Sequence, residues 1–459
     1  MTTTTLDSLT DFSQTLDRTK VAIRSNSYAY QYSVATQSLT HVTDVNYPAV
    51  TVRGLVYLDG TFYVMDQYGQ IWGSAVNDFT TWSALNVINA QAEPDAGVCL
   101  TKYNQYVVAF GAYTTQFFFD NANSTGSPLS PVSNGDMTIG CANGDTVQQI
   151  GKNLFFVSQD KAQGQATTRG FSVAMMDGMS INPISSADVE RILNADGLIG
   201  AWGATLSLFG HDFYLITMPA TLQTLAYDVG QKFWSFLNKM TAATPVSVTA
   251  LTCATQVDGT GLVTATAAGH GNVDGDPVLI GGASPTGYNG TFNITYLSSS
   301  QFTYPVPAPL TTSSGTIVAT GNTASYLPVR AAFQNGVIQV FQDDATGKLY
   351  QFSDTLFTDN GAYIDAKARN VLFDNGTNQF KFMPWMDIIS DRASANILER
   401  HSDDDYQTYS KYRISSLSGA RTRFTKNGKF LLRANELRHT DNVAFRLRRV
   451  NLGLEQGTE

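Results

Sequence analysis

What this sequence has little of narrows its function sharply. Only 15% of its 459 residues are charged, well under the usual quarter, so neither a disordered chain nor a charged helical array fits. Cysteine occurs three times, as Cys99, Cys141 and Cys253, an odd and widely spaced set without a CxxC pair. Disulfide frameworks and zinc knuckles are therefore not expected, and buried free thiols are. None of the five histidines, His41, His211, His270, His401 and His439, stands four residues from another, so no paired metal-ligand motif exists. GxSxG, P-loop and helix-opening GxGxxG motifs are all missing. No catalytic residue, cofactor or metal is expected, and the chain reads as a non-enzyme. No run of eighteen apolar residues occurs, hence no membrane segment, and Met1–Leu6 lacks the basic start and apolar centre of a signal peptide. A cytosol-like site of synthesis, or release by lysis, is expected.

The net charge of −9 is unevenly spread. From Asp391 onward thirteen Lys and Arg face nine Asp and Glu, so a basic segment follows an acidic body. An acidic body repels DNA, whereas a basic end can dock on an acidic partner or meet phosphate.

Glycine (38) and tyrosine (21) are plentiful, as in chains of many strands joined by tight turns. A strand–turn–strand pattern recurs at Leu55–Val64, Leu100–Val108, Val147–Val157, Leu206–Ile216 and Ala331–Val340. Each copy reads as a β-hairpin, because Gly and Asn supply the positive φ that primed turns require. A third strand follows, at Gln70–Gly73, Gln116–Phe119, Gly170–Val173, Leu225–Asp228 and Lys348–Phe352, and three copies add a further element at Trp82, Pro183 or Trp234. Three to four strands per roughly fifty residues is the signature of β-propeller blades. The expected fold is all-β, a propeller of about six blades, with a β-sandwich or an irregular β-protein as the alternative. Residues 21–241 would form its first part and residues 322–459 its closing part.

Between them, residues 242–321 are rich in Thr, Gly, Ala and Ser, and read as an inserted small β-domain. Ser185–Leu193 has helical spacing, with Ser185 and Asp188 resembling a capping box. Leu6, Leu9, Phe12 and Leu16 keep three- and four-residue spacing, which predicts an amphipathic N-terminal arm over residues 1–20 that packs on a neighbour, with a frayed surface helix as the alternative.

The densest acidic cluster, Ser402-Asp403-Asp404-Asp405, lacks the glycine and distal glutamate of a calcium loop. With Thr408 and Tyr409 it better matches an Asp-box turn, in which Ser402, Asp404 and Thr408 have structural roles. Asn77, Thr81 and Trp82 make a looser second copy. Asp-boxes raise a sialidase-like enzyme, which needs three clustered arginines and a Tyr–Glu pair. Arg53, Arg169 and Arg191 lie far apart in sequence, which argues against it.

An ordered set of segments carries a family resemblance. It runs through Gly60-Thr61-Phe62-Tyr63-Val64, Ile71-Trp72-Gly73-Ser74, Trp82-Ser83, Glu93-Pro94-Asp95 and Val107–Gly111 to Phe117-Phe118-Phe119, Asn153–Val157 and Ile181–Ser185. Ser402–Asp405, Gly428-Lys429-Phe430 and Arg438–Leu447 continue it. Together these resemble the packaged-DNA stabilisation, or tail nozzle (tail hub), proteins of short-tailed bacteriophages. Gly269-His270-Gly271, Gly275-Asp276, Gly287–Phe292 and Phe302-Thr303-Tyr304 are similar to a small β-module of phage structural proteins.

The resemblance implies a virion protein of the phage tail, assembled in the host cytoplasm as a homo-oligomeric ring, a hexamer. It implies a place below the head-to-tail adaptor, beside tail fibre or tailspike proteins, where it continues and closes the DNA-ejection channel. Packaged DNA would pass through without sequence-specific binding. Arg421, Arg423, Lys426, Lys429 and Arg433 are the expected contacts to a protein partner. A receptor- or glycan-binding propeller at the tail tip is the alternative.

Overall fold

A strand made wholly of apolar residues is stable only where both its faces are covered. Val107-Val108-Ala109-Phe110 is such a strand. Val107 and Ala109 pack with Val56, Tyr63 and Met65 on one side, and Val108 and Phe110 pack with Leu154 and Phe156 on the other. Alternation continues along the chain: Phe62 and Val64 face one core while Tyr63 and Met65 face the next. Leu154 and Phe156 likewise turn away from Phe155 and Val157, and Leu215 from Tyr214 and Ile216. Successive sheets are thus stacked face to face.

These relations come from a computed structural model that describes residues 10–25, 28–90, 95–161, 168–208, 210–335, 338–353, 355–419 and 421–457. Its contacts divide the chain into two units, Met1–Leu237 with Tyr326–Phe352, and Asn238–Ser325 with Ser353–Glu459.

Among the described residues the first unit holds six antiparallel sheets. Sheet 1 comprises Asp11–Gln14, Lys20–Ser25, Tyr28–Ser33 and Ser38–His41, and sheet 2 comprises Val56–Leu58, Thr61–Met65, Gln70–Ala75 and Asp78–Asn89. Sheet 3 comprises Gly97–Tyr103, Tyr106–Gly111, Thr115–Asp120 and Leu129–Pro131. In sheet 4 both Gly140–Cys141 and Gln148–Ile150 pair with Asn153–Lys161, before Thr168–Asp177 and Ser180–Pro183. Sheet 5 comprises Trp202–Leu208, His211–Met218, Gln223–Asp228 and Phe233–Phe236, and sheet 6 Val329–Asn335, Ile338–Asp343 and Leu349–Gln351. Each is a meander with a buried core against the next, which is a β-propeller. The turn Asp59-Gly60 shows the local cause: both residues take positive φ (45° and 93°), as a two-residue primed hairpin turn demands.

Three expectations need correction. Asp11–Gln14 is the first strand of sheet 1, so the arm over residues 1–20 is not an amphipathic helix there; Leu6 and Leu9 lie outside the described residues. The helix spans Ala187–Asp196 and its N-cap is Ser186, whose Oγ accepts from the Val189 N–H, while Ser185 Oγ donates to Glu190. Val189 and Leu193 are buried between sheets 4 and 5, as their spacing requires. Thirdly, the expected closing part 322–459 is split between the units, and only 326–352 joins the propeller sheets.

In the second unit two four-stranded sheets between Val246 and Thr320 enclose Val263, Ala265, Val278, Phe302 and Tyr304. Further along, Ala366–Arg369 pairs with Ala434–His439, which pairs with Asn396–Ser402. Lys381–Ser390 pairs with Thr422–Thr425, Lys429–Phe430 and Leu447–Gln456. Met383, Met386, Ile388, Ile397, Phe424 and Phe430 form the core of this region. Partners this far apart in sequence cannot make a meander blade, which explains the split.

Candidate functional site

Arg433, expected to contact a partner, is buried at 2% exposure. Its Nε and Nη2 donate to the Asp403 carboxylate at 2.7 Å each, Nη1 donates to the Asn427 carbonyl, and the guanidinium lies 4.4 Å from the Phe430 ring centre. A guanidinium leaves water only where its donors are met, so Arg433 is a structural pin and not a contact residue. Arg421 and Arg423 both pair with Asp387, at 3.4 and 2.6 Å, and Arg423 also stacks 4.9 Å from Trp385. The Arg423 hydrogen bond and both positive charges hold the Asp387 carboxyl below the usual range despite burial. Lys426 and Lys429 do come together, on an open groove of about 450 Å³ lined by Phe382, Met383, Pro384 and Glu455. Lys429 sits 4.8 Å over Phe380.

The expected turn is present. Ser402 Oγ donates to Asp404 at 2.9 Å, and Asp404 accepts from the Thr408 N–H and hydroxyl. Asp405 and Tyr406 both take positive φ (60° and 65°), the tight corner that Asp404 caps. In the looser copy, Asp78 rather than Asn77 does the capping, accepting from Thr80 and Thr81. Of the motif Glu93-Pro94-Asp95 the first two residues lie outside the described residues; Asp95 accepts from the Tyr113 and Thr114 N–H groups at 2.7 and 2.9 Å.

Two charge clusters escaped sequence reasoning. One surrounds Glu436, whose side chain is fully buried. It accepts from Arg369 Nε at 3.0 Å, from Arg400 Nε at 2.7 Å and from the Tyr412 hydroxyl. Burial pushes its pKa up, but these donors outweigh burial and bring it to about 2. Two strand positions on, buried Arg438 pairs with Asp276 and Asp365 at 2.7 Å each. Three arginines beside a Tyr–Glu pair are the parts a sialidase would need. Here three carboxylates, Glu436, Asp276 and Asp365, neutralise Arg369, Arg400 and Arg438, so these guanidiniums are already engaged. A sequence signal existed: Glu436 and Arg438 alternate with apolar Leu437 in a strand, and a charge there requires a partner.

The other cluster joins propeller sheets. Asp11 receives Arg24 at 2.8 Å and Arg53 at 2.9 Å, and Arg53 reaches Asp145 at 3.2 Å. Arg24, 2% exposed, also donates to the Thr51 carbonyl at 3.0 Å. Burial raises the Asp145 carboxyl above its ordinary range, against the lowering effect of Arg53. Cys99 and Cys141 lie buried nearby, and burial pushes the Cys141 thiol up to about 12. Among the described residues no three His, Cys, Asp or Glu converge as a metal site, and no helix is long and apolar enough to cross a membrane.

The phage stabilisation family, described as bacteriophage P22 Gp10, β-propeller, matches residues 3–256. The chain belongs to this family. The match covers sheets 1 to 5 of the propeller and makes the chain a bacteriophage protein of the packaged-DNA stabilisation type. No curated protein matches this member of the family. Among solved structures, BamB from Moraxella catarrhalis is similar at 10% identity and a TM-score of 0.32, covering 75% of this chain and 82% of that one. The computationally designed Ika8 protein is similar at 11% identity and a TM-score of 0.32, with the same coverage.

Proposed function

We propose that this phage stabilisation protein is the tail nozzle, or hub, subunit: a non-catalytic ring component below the head-to-tail adaptor that continues and closes the DNA-ejection channel. Membership of the stabilisation family supports it, and the state of the arginines gives it a physical basis. A duct must let the duplex slide, and each cation that pairs with phosphate adds binding free energy that opposes sliding. In the basic C-terminal region Arg400, Arg413, Arg433 and Arg438 each pair with a carboxylate of the same chain, and Arg421 and Arg423 share Asp387. Lys426 and Lys429, on their groove, are the positions for contact with the adaptor or another tail protein. Electron microscopy of the purified chain should show closed rings, six copies being expected, with an open axis wide enough for duplex DNA. Monomers at all concentrations, together with binding or hydrolysis of a sialoside, would remove this reading in favour of a glycan-directed propeller.

A further inference from the structure

The sheet built on Lys381–Ser390 has one face in the core and the other in solvent. Met386 and Ile388 point inward with Phe424, Val450 and Leu452, so the alternate residues Trp385, Asp387 and Ile389 point outward. Arg423 lies opposite Asp387, and Arg449 opposite Ile389, on that outer face. At Pro384, which has no N–H for the ladder, the register shifts, and Phe382, Lys429 and Glu455 come level there. With Arg421 on Asp387 and Lys426 on the groove, five cations meet two carboxylates, Asp387 and Glu455. Lys426, Lys429 and Arg449 form no ion pair among the described residues. The face is open: Arg421 is 59% exposed, Arg423 40% and Phe382 45%.

Charge narrows what can cover this face. The same face of another copy is disfavoured, since like charges would meet across the two-fold axis. Single-stranded nucleic acid needs free rings on which bases stack. Here Arg423 covers Trp385 at 4.9 Å and Lys429 covers Phe380 at 4.8 Å, leaving Phe382 as the one uncovered ring of the three. An acidic protein surface matches the charge, and this chain carries one. The propeller unit holds twenty-one Asp and Glu against twelve Lys and Arg, whereas the second unit holds seventeen of each. We propose that the outer face of this sheet docks on the acidic propeller unit of a second copy, joining copies head to tail. Such a contact uses different surfaces on its two partners, and so closes into a ring or runs on as a filament. It rests on the ring reading above, which supplies the closure. A sheet three strands wide and ten residues long covers roughly 14 by 30 Å. That is on the order of half the ~800 Å² per partner of a standard interface. Association therefore leans on charge and weakens as salt screens it.

Cross-linking and sedimentation of the full chain test this. In a mixture of isotope-labelled and unlabelled chains, a carbodiimide that joins amine to carboxylate without a spacer should link Lys426 or Lys429 of one copy to propeller carboxylates of another. The double reversal Lys429→Glu with Arg449→Glu should weaken self-association at least tenfold by sedimentation velocity. Raising salt from about 0.05 M to about 0.5 M should weaken it likewise in the unaltered chain. Both side chains are exposed, so an unchanged thermal midpoint shows that the fold survives the reversal. Absent self-association, association indifferent to the reversal, or links between copies confined to the second unit overturns the proposal. A reversal that abolishes binding of DNA and leaves assembly intact also overturns it, since the face would then serve nucleic acid. The ring reading fails separately. The expected links within open chains of copies keep this contact and remove the closed ring, whereas closed rings that ignore the reversal keep the ring and remove this contact.

Discussion

Arg433 and Lys429 stand four residues apart, and sequence reasoning treated them alike. Arg433 is enclosed by Asp403, Asn427 and Phe430, and Lys429 lies exposed over Phe380. Replacing Arg433 by Ala should cost about 2–3 kcal/mol, because it strips a buried pin from its partners. Lys429→Ala should stay within about 0.5 kcal/mol. Urea denaturation midpoints of the two variants measure the difference. Glu436 makes a second residue-scale expectation. Its folded pKa, about 2, lies below the ordinary 4.5, so its contribution is complete above 4.5 and is lost as pH falls toward 2. Glu436→Gln should lower stability at neutral pH and flatten the loss between pH 4.5 and 2, read from thermal midpoints across that range.

Among the elements, strands buried on both faces were the most legible. Runs such as Val107–Phe110 and Leu154–Val157 contain no polar break, so they announce burial on two sides. Phe155 and Phe156 then belong to separate cores although adjacent. Each Phe→Ala change should cost about 3–5 kcal/mol, and the double variant should equal their sum within about 0.5 kcal/mol. A strong coupling in a double-mutant cycle by chemical denaturation would contradict the stacked-sheet arrangement. Sheet 1 was the element missed. One of its faces is open, with Phe12 and Leu39 more than half exposed, so its apolar residues are few and fit helical spacing as well as strand spacing.

For the whole molecule, electrostatics depends on which charges are already spent. Asp387 neutralises part of Arg421 and Arg423, both of which are partly exposed. Asp387→Asn should therefore free two cations for phosphate, raising duplex affinity and steepening the salt dependence of log K by up to about 2. Binding measured across a salt series would show it, and an unchanged slope would mean these arginines face away from any duplex. Counting residues found the basic end but not its neutralisation. Arg438 meets Asp276 from 162 positions away, and no local pattern records that.

The β-rich class, the hairpins and their turns follow from local sequence, because strand alternation, apolar runs and positive-φ residues act over a few neighbours. The sequence also carried the family resemblance, in the order of short segments. Only the tertiary structure settles which cations stay available and how residues 326–352 and 353–459 part company. Those outcomes rest on pairings between distant segments, whose free energy depends on burial and on the partner's position, neither of which is written in local spacing.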